Sequence, residues 1–225
     1  MSNSTQLTPT PGQTVGPFYG YALPFEKDNE LLAPGSSGSI RLQGTVYDGA
    51  GEPIPDAILE IWQPDADGNV VQKTGSLRRD GYTFTGWGRS AVGNSGIFTF
   101  TTVNPGPTGQ VPGKPAAAPF ISVAVFARGL TNRLFTRIYL PEDTEALAKD
   151  PLLSSLDPER RKTLIARRDP DGGLTFDIRL QGEGETWVAT YALRLSEDGR
   201  TLSDITRSPP FVRVRCPGPT PGRAG

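Results

Sequence analysis

From Ile40 the chain alternates. Ile40, Leu42, Gly44 and Val46 are separated by Arg41, Gln43, Thr45 and Tyr47, the period of two expected of a half-buried β-strand. The cluster Asp48-Gly49-Ala50-Gly51-Glu52-Pro53 is a turn, and residues 57–63 predict a second strand closed by the turn Asp65-Ala66-Asp67-Gly68. Ile97–Val103 predicts a third, with Phe98 and Phe100 on one face, ended by Asn104-Pro105-Gly106-Pro107. Residues 120–127 form a continuous apolar, β-branched run, the pattern of a central strand covered on both faces. A hairpin turn at 128–133 leads to a strand at 134–140, and 174–180 is the last clear strand. Between them Asp157, with Pro158 at the first helical position, predicts a helix running towards Ile165, and 142–149 predicts a shorter one. Many strands divided by turns, with a helical insertion near 142–168, predict a mainly β protein of the β-sandwich class with extended termini.

The pattern fades at both ends. Residues 1–38 lack periodicity and predict an arm. Within it, Thr14-Val15-Gly16-Pro17-Phe18-Tyr19-Gly20-Tyr21 packs aromatics among glycines, which argues against a helix and against full exposure to water. Such a segment is either laid on its own domain or forms a lip on a ligand cleft or partner interface. Residues 189–225 predict a mobile extension, so the expected organisation is 1–38 arm, 39–188 sandwich, 189–225 extension.

Composition narrows the chemistry. The 225 residues contain no histidine, which rules out Ser-His-Asp and Cys-His relays and every imidazole-ligated metal. The single Cys216 lies in a Pro/Gly/Arg-rich tail, a poor setting for a reactive thiolate, and permits no internal disulfide, as in a reducing cytoplasm. A net charge of −1 argues against non-specific nucleic-acid binding. The first 20 residues carry no leader pattern, and no apolar run approaches the roughly 20 residues of a membrane helix.

Few residues stand out as chemistry. Asp65, Asp67 and Gly68 lack the closing glutamate of a calcium loop and predict a plain turn. Glu183 and Glu185 flank Gly184 and read as a solvated turn rather than an acid/base pair. Gly86-Trp87-Gly88-Arg89 is too short for a phosphate loop and predicts a loop whose Trp87 covers core. Arg128 follows a buried strand and precedes Gly129. Its fork of donors suits a carboxylate or phenolate ligand; equally, it suits a surface carboxylate of its own chain.

Taken together, several segments resemble the intradiol ring-cleavage dioxygenases. In family order these are Gln13-Thr14-Val15-Gly16-Pro17-Phe18, Gly44-Thr45-Val46-Tyr47-Asp48-Gly49, Leu59-Glu60-Ile61-Trp62-Gln63-Pro64-Asp65-Ala66, Phe126-Ala127-Arg128-Gly129-Leu130, Thr163-Leu164-Ile165-Ala166 and Phe176-Asp177-Ile178-Arg179-Leu180-Gln181-Gly182-Glu183-Gly184-Glu185-Thr186. The resemblance implies the family's β-sandwich. Catalytic chains of the family hold a ferric ion with two tyrosines and two histidines; the matching positions here are Val70, Thr108, Phe120 and Ser122. None of the four can replace that ligand set.

The resemblance therefore implies the metal-free alpha chain of a two-chain enzyme, inactive alone. A homologous beta chain would carry Fe(III), and the pair would cleave 3,4-dihydroxybenzoate with O₂ to 3-carboxy-cis,cis-muconate. Carried over by motif, the substrate-facing residues of this chain are Arg128, Thr14, Gly16, Pro17 and Phe18, with no catalytic or metal-binding residue of its own. The family often has Tyr where Phe18 stands, and Tyr19 is a candidate for the missing hydroxyl. The competing class is a non-catalytic β-sandwich binding or adhesion module, which would need no dedicated partner.

Overall fold

A computed structural model of the chain describes residues 11–71, 79–108, 117–189, 192–195 and 202–205. The first ten residues of the expected arm, and the tail with Cys216, lie outside the described residues. The chain divides into two units, Met1–Val188 and Ala189–Gly225.

In the first unit two sheets face one another. One contains Ile97–Val103 (β4), Ser39–Tyr47 (β1), Leu174–Thr175 (β8) and Arg167–Arg168 (β7) in that spatial order, with Ile178–Arg179 (β9) also paired to β1. The other runs Trp87–Ala91 (β3), Ile58–Trp62 (β2), Phe120–Phe126 (β5) and Leu134–Tyr139 (β6), all antiparallel. Alternation builds the core as the sequence predicts. Leu42, Val46, Phe98 and Phe100 from the first sheet meet Leu59, Ile61, Ile121, Val123, Val125 and Ile138 from the second. Truncating one of these rings, such as Phe100→Ala, costs about 3–5 kcal/mol.

Several expectations need correcting. Residues 120–127 do form a central strand, but only one of its faces is buried. Ile121, Val123 and Val125 are sealed, whereas Phe120, Ser122, Ala124 and Phe126 are only partly covered. The continuous apolar run therefore marks an apolar outer face rather than a second layer. Trp62 shares that face and is 48% exposed. Residues 87–91 are a strand, not a loop; Gly, Arg and Ser there give no β signal, and pairing with β2 makes the strand. Trp87 pairs with Trp62 on the outer face and stacks on Phe25 at 6.2 Å, so it does not cover the core.

The strand expected at 174–180 breaks into β8 and β9. The reason is Asp177, whose carboxylate accepts the Thr45 N–H at 2.9 Å and so takes the place of a ladder carbonyl. The insertion contains three one-turn helices, Thr144–Lys149 (α2), Pro151–Ser155 (α3) and Pro158–Lys162 (α4), capped by Asp143, Asp150 and Asp157. The arm does contain a helical turn, Tyr19–Ala22 (α1), closed by Ala22 and Leu23 N–H groups on the Phe18 and Tyr19 carbonyls. One turn needs only these two bonds, which Gly20 does not prevent. In the second unit, Ala192–Leu195 (β10) and Leu202–Ile205 (β11) pair as an antiparallel hairpin where only a mobile extension is expected; the rest of that stretch lies outside the described residues.

Candidate functional site

β5 organises the site because its two ends carry different chemistry. At its start, register sets Trp62 opposite Ser122, and two turns meet beside them. Gly106 donates its N–H to the Asp65 carbonyl at 2.8 Å. A Cβ on Gly106 would lie 2.3 Å from the Ala66 carbonyl oxygen, so only glycine lets the turns close. The result is a cavity of about 160 Å³ bounded by Trp62, Gln63, Val70, Thr108, Phe120 and Ser122. Val70, Thr108, Phe120 and Ser122, the four positions where the resemblance puts metal ligands, thus converge on one cavity.

The donors at this cavity do not fit a ferric ion. Valine and phenylalanine have no donor atom, and the two hydroxyls are neutral at ordinary pH. The Gln63 amide is already engaged. Its Nε2 donates to the Val103 and Pro64 carbonyls at 2.9 and 3.2 Å, and its Oε1 accepts from Thr102 at 2.7 Å. Tyr139, 5.7 Å from the Phe120 ring, donates its hydroxyl to Asp150 and accepts from Arg137. Burial pushes this phenol up to about 12, so it remains protonated.

At the far end of β5 the chain is polar and closely tied. Arg128 pairs through Nε with the Asp56 carboxylate and is still 59% exposed. Gly129 turns the chain at φ 87°, a left-handed conformation that suits glycine. Its N–H donates to the Thr14 hydroxyl at 2.8 Å, which brings the arm to the Arg128 loop. Tyr19 donates its hydroxyl to the Asp56 carbonyl. Burial, and then the Asp56 charge, push the Tyr19 phenol up to about 12 against the pull of Arg128, so Tyr19 serves as a donor. Farther along, Arg89 bonds the Leu23 carbonyl at 2.5 Å and Glu60 at 2.6 Å.

Of the sequence candidates, Thr14 and Arg128 are therefore brought together. Gly16, Pro17 and Phe18 form an exposed bridge between Thr14 and Tyr19, with Phe18 75% and Tyr21 86% exposed. The Tyr19 hydroxyl donates within the chain, to the Asp56 carbonyl. The pairing of Arg128 with a carboxylate of its own chain, one of the two roles open to it, is present. Sequence reasoning missed Asp56. The signal that finds it is the alignment of β2 with β5, which places it directly opposite Arg128.

Three comparisons bear on this geometry. A family model described as Dioxygenase matches residues 14–182. The chain is 41% identical over 196 residues to the protocatechuate 3,4-dioxygenase alpha chain of Pseudomonas putida, spanning 80% of this chain and 95% of that one. It is 32% identical over 158 residues to the protocatechuate 3,4-dioxygenase beta chain of Burkholderia cepacia, spanning 65% and 66%. Among solved structures, catechol 1,2-dioxygenase from Pseudomonas arvilla C-1 superposes with a TM-score of 0.50 at 20% identity, covering 77% of this chain and 59% of that one, a likeness of fold.

Proposed function

The chain belongs to the intradiol dioxygenase family, and from that premise we propose that it is the metal-free alpha chain of a two-chain protocatechuate 3,4-dioxygenase. The family depends on iron, and we assign the ferric ion to a homologous beta chain. The pair cleaves 3,4-dihydroxybenzoate between its hydroxyl-bearing carbons with O₂, giving 3-carboxy-cis,cis-muconate. The single cysteine is compatible with a cytoplasmic enzyme.

One observation carries the reading. Among the described residues bounding the cavity at the start of β5 there is no ligand set for ferric iron, while the end of β5 holds a built, exposed cationic corner. Phe120 and Arg128 are eight residues apart, roughly 26 Å along an extended strand. At that distance Arg128 does not serve its own chain's cavity, and in this reading it serves the site of the partner chain. The partly covered outer face of β2, β3 and β5, where Trp62 and Phe126 flank the Glu60–Arg89 ion pair, adds a mixed surface suited to a partner. In this role Arg128 offers its outer guanidinium edge to a substrate that is anionic through its carboxylate. Thr14 and residues 16–18 line the mouth and contact the partner chain. No observation favours a free-standing adhesion module.

Co-expression with the homologous beta chain tests this. The expected result is a stable complex that turns over 3,4-dihydroxybenzoate. A chain that purifies alone and forms no such complex overturns the reading.

A further inference from the structure

We infer that Asp56 is a positioning residue for substrate binding, acting through Arg128. This rests on the reading above, in which Arg128 faces an anionic substrate. Asp56 lies two residues before β2, and Arg128 two residues after β5. Continuing the antiparallel register that sets Ile58 opposite Phe126 brings Asp56 opposite Arg128. The Asp56 carboxylate engages Nε, one flank of the guanidinium. An arginine held on that flank presents its Nη edge outward, the geometry that grips a carboxylate with two parallel bonds. Without Asp56, the guanidinium of a side chain that is 59% exposed would sample many rotamers.

Asp56 is itself fixed from a second direction. Its backbone carbonyl accepts the Tyr19 hydroxyl, and the arm continues to Thr14, which accepts the Gly129 N–H. The β2 entry, the β5 exit and the arm thus form one closed set of contacts around Arg128. A surface ion pair of this exposure contributes little to stability. Its value lies in where it aims the cation.

Charge alone and positioning predict opposite signs, which makes the inference testable. Asp56→Asn removes a negative charge beside Arg128, so by Coulomb attraction alone the complex would bind an anion more tightly. Positioning predicts weaker binding. The experiment is a double-mutant cycle in the assembled alpha–beta complex, with wild type, Asp56→Asn, Arg128→Ala and both together, measuring KM and kcat for 3,4-dihydroxybenzoate with iron content in parallel. Asp56→Asn is expected to raise KM about 3- to 10-fold with kcat changed less than about 2-fold, and to change KM less than about 2-fold when Arg128 is already alanine.

A KM that falls or stays put in Asp56→Asn, while Arg128→Ala raises it, overturns the inference and leaves the parent reading intact. An equal rise in both backgrounds also overturns it, because the effect then does not pass through Arg128. An unchanged KM in Arg128→Ala overturns both the inference and the assignment of Arg128 to the substrate, while the alpha-chain reading stands or falls by co-expression. Should Asp56→Asn fail to assemble, Asp56→Glu, which lengthens the reach to Nε, runs through the same cycle with the same outcomes.

Discussion

The two ends of β5 carry opposite chemistry. At its start, Val70, Thr108, Phe120 and Ser122 bound a cavity to which these four side chains bring only two neutral hydroxyls. At its end, Arg128, Asp56, Tyr19, Thr14 and Gly129 form a connected polar corner that the core does not require. The contrast teaches that the polar end is not part of the chain's own cavity; in the reading proposed above it serves a partner of the same fold, and the likeness to both an alpha and a beta chain is consistent with that.

The sharpest way to break the comparison is to substitute at each end and compare the assembled enzyme. Arg128→Ala should lower kcat/KM about 10- to 100-fold, on the order of 1.5–3 kcal/mol for a lost charge-assisted contact, and Arg128→Lys should recover only part of it. Ser122→Ala at the cavity should leave kcat/KM within about 2-fold, since no reacting group meets it there. Steady-state kinetics at matched iron content separates the two. Equal effects at both ends would erase the distinction between them.

A smaller effect is one the two ends share. Tyr19 at the arginine corner and Tyr139 beside the cavity both have phenols pushed up to about 12, in each case by burial first. A raised phenol keeps its proton in the folded state while the unfolded chain, with tyrosines near 10, begins to lose it. Their contribution is thus complete below about pH 10 and is lost as pH rises towards about 12. With no histidine in the chain, no imidazole adds a step near neutrality. Thermal melting against pH should show the alkaline decline, made shallower in Tyr19→Phe.

Much of this was legible in the sequence. Period-two alternation set β1 and β4 with the correct faces inward, because core strands are selected for burial on one side. Asp157-Pro158 marked α4 through cap chemistry that is local. What escaped was tertiary. β3 has one β-forming residue, Trp87, among Gly, Arg, Ser and Ala, and exists through its pairing with β2. The strand over 174–180 breaks because one carboxylate substitutes for a carbonyl. An apolar run such as 120–126 looks the same whether its outer face is covered by its own chain or left open. At the site, the absence of histidine was plain and Arg128 was visible. Asp56 was not, since it matters only through a register that pairs it with a residue 72 positions away.

The central claim is that this chain shapes a site whose metal lies in its partner. Metal analysis tests it most directly, on the chain purified alone and on the co-expressed complex. The account predicts no stoichiometric iron in the isolated chain and one iron per alpha–beta pair, with the visible tyrosinate-to-iron absorption appearing only in the complex. One tightly bound iron in the isolated chain, with ring-cleaving activity, would contradict it.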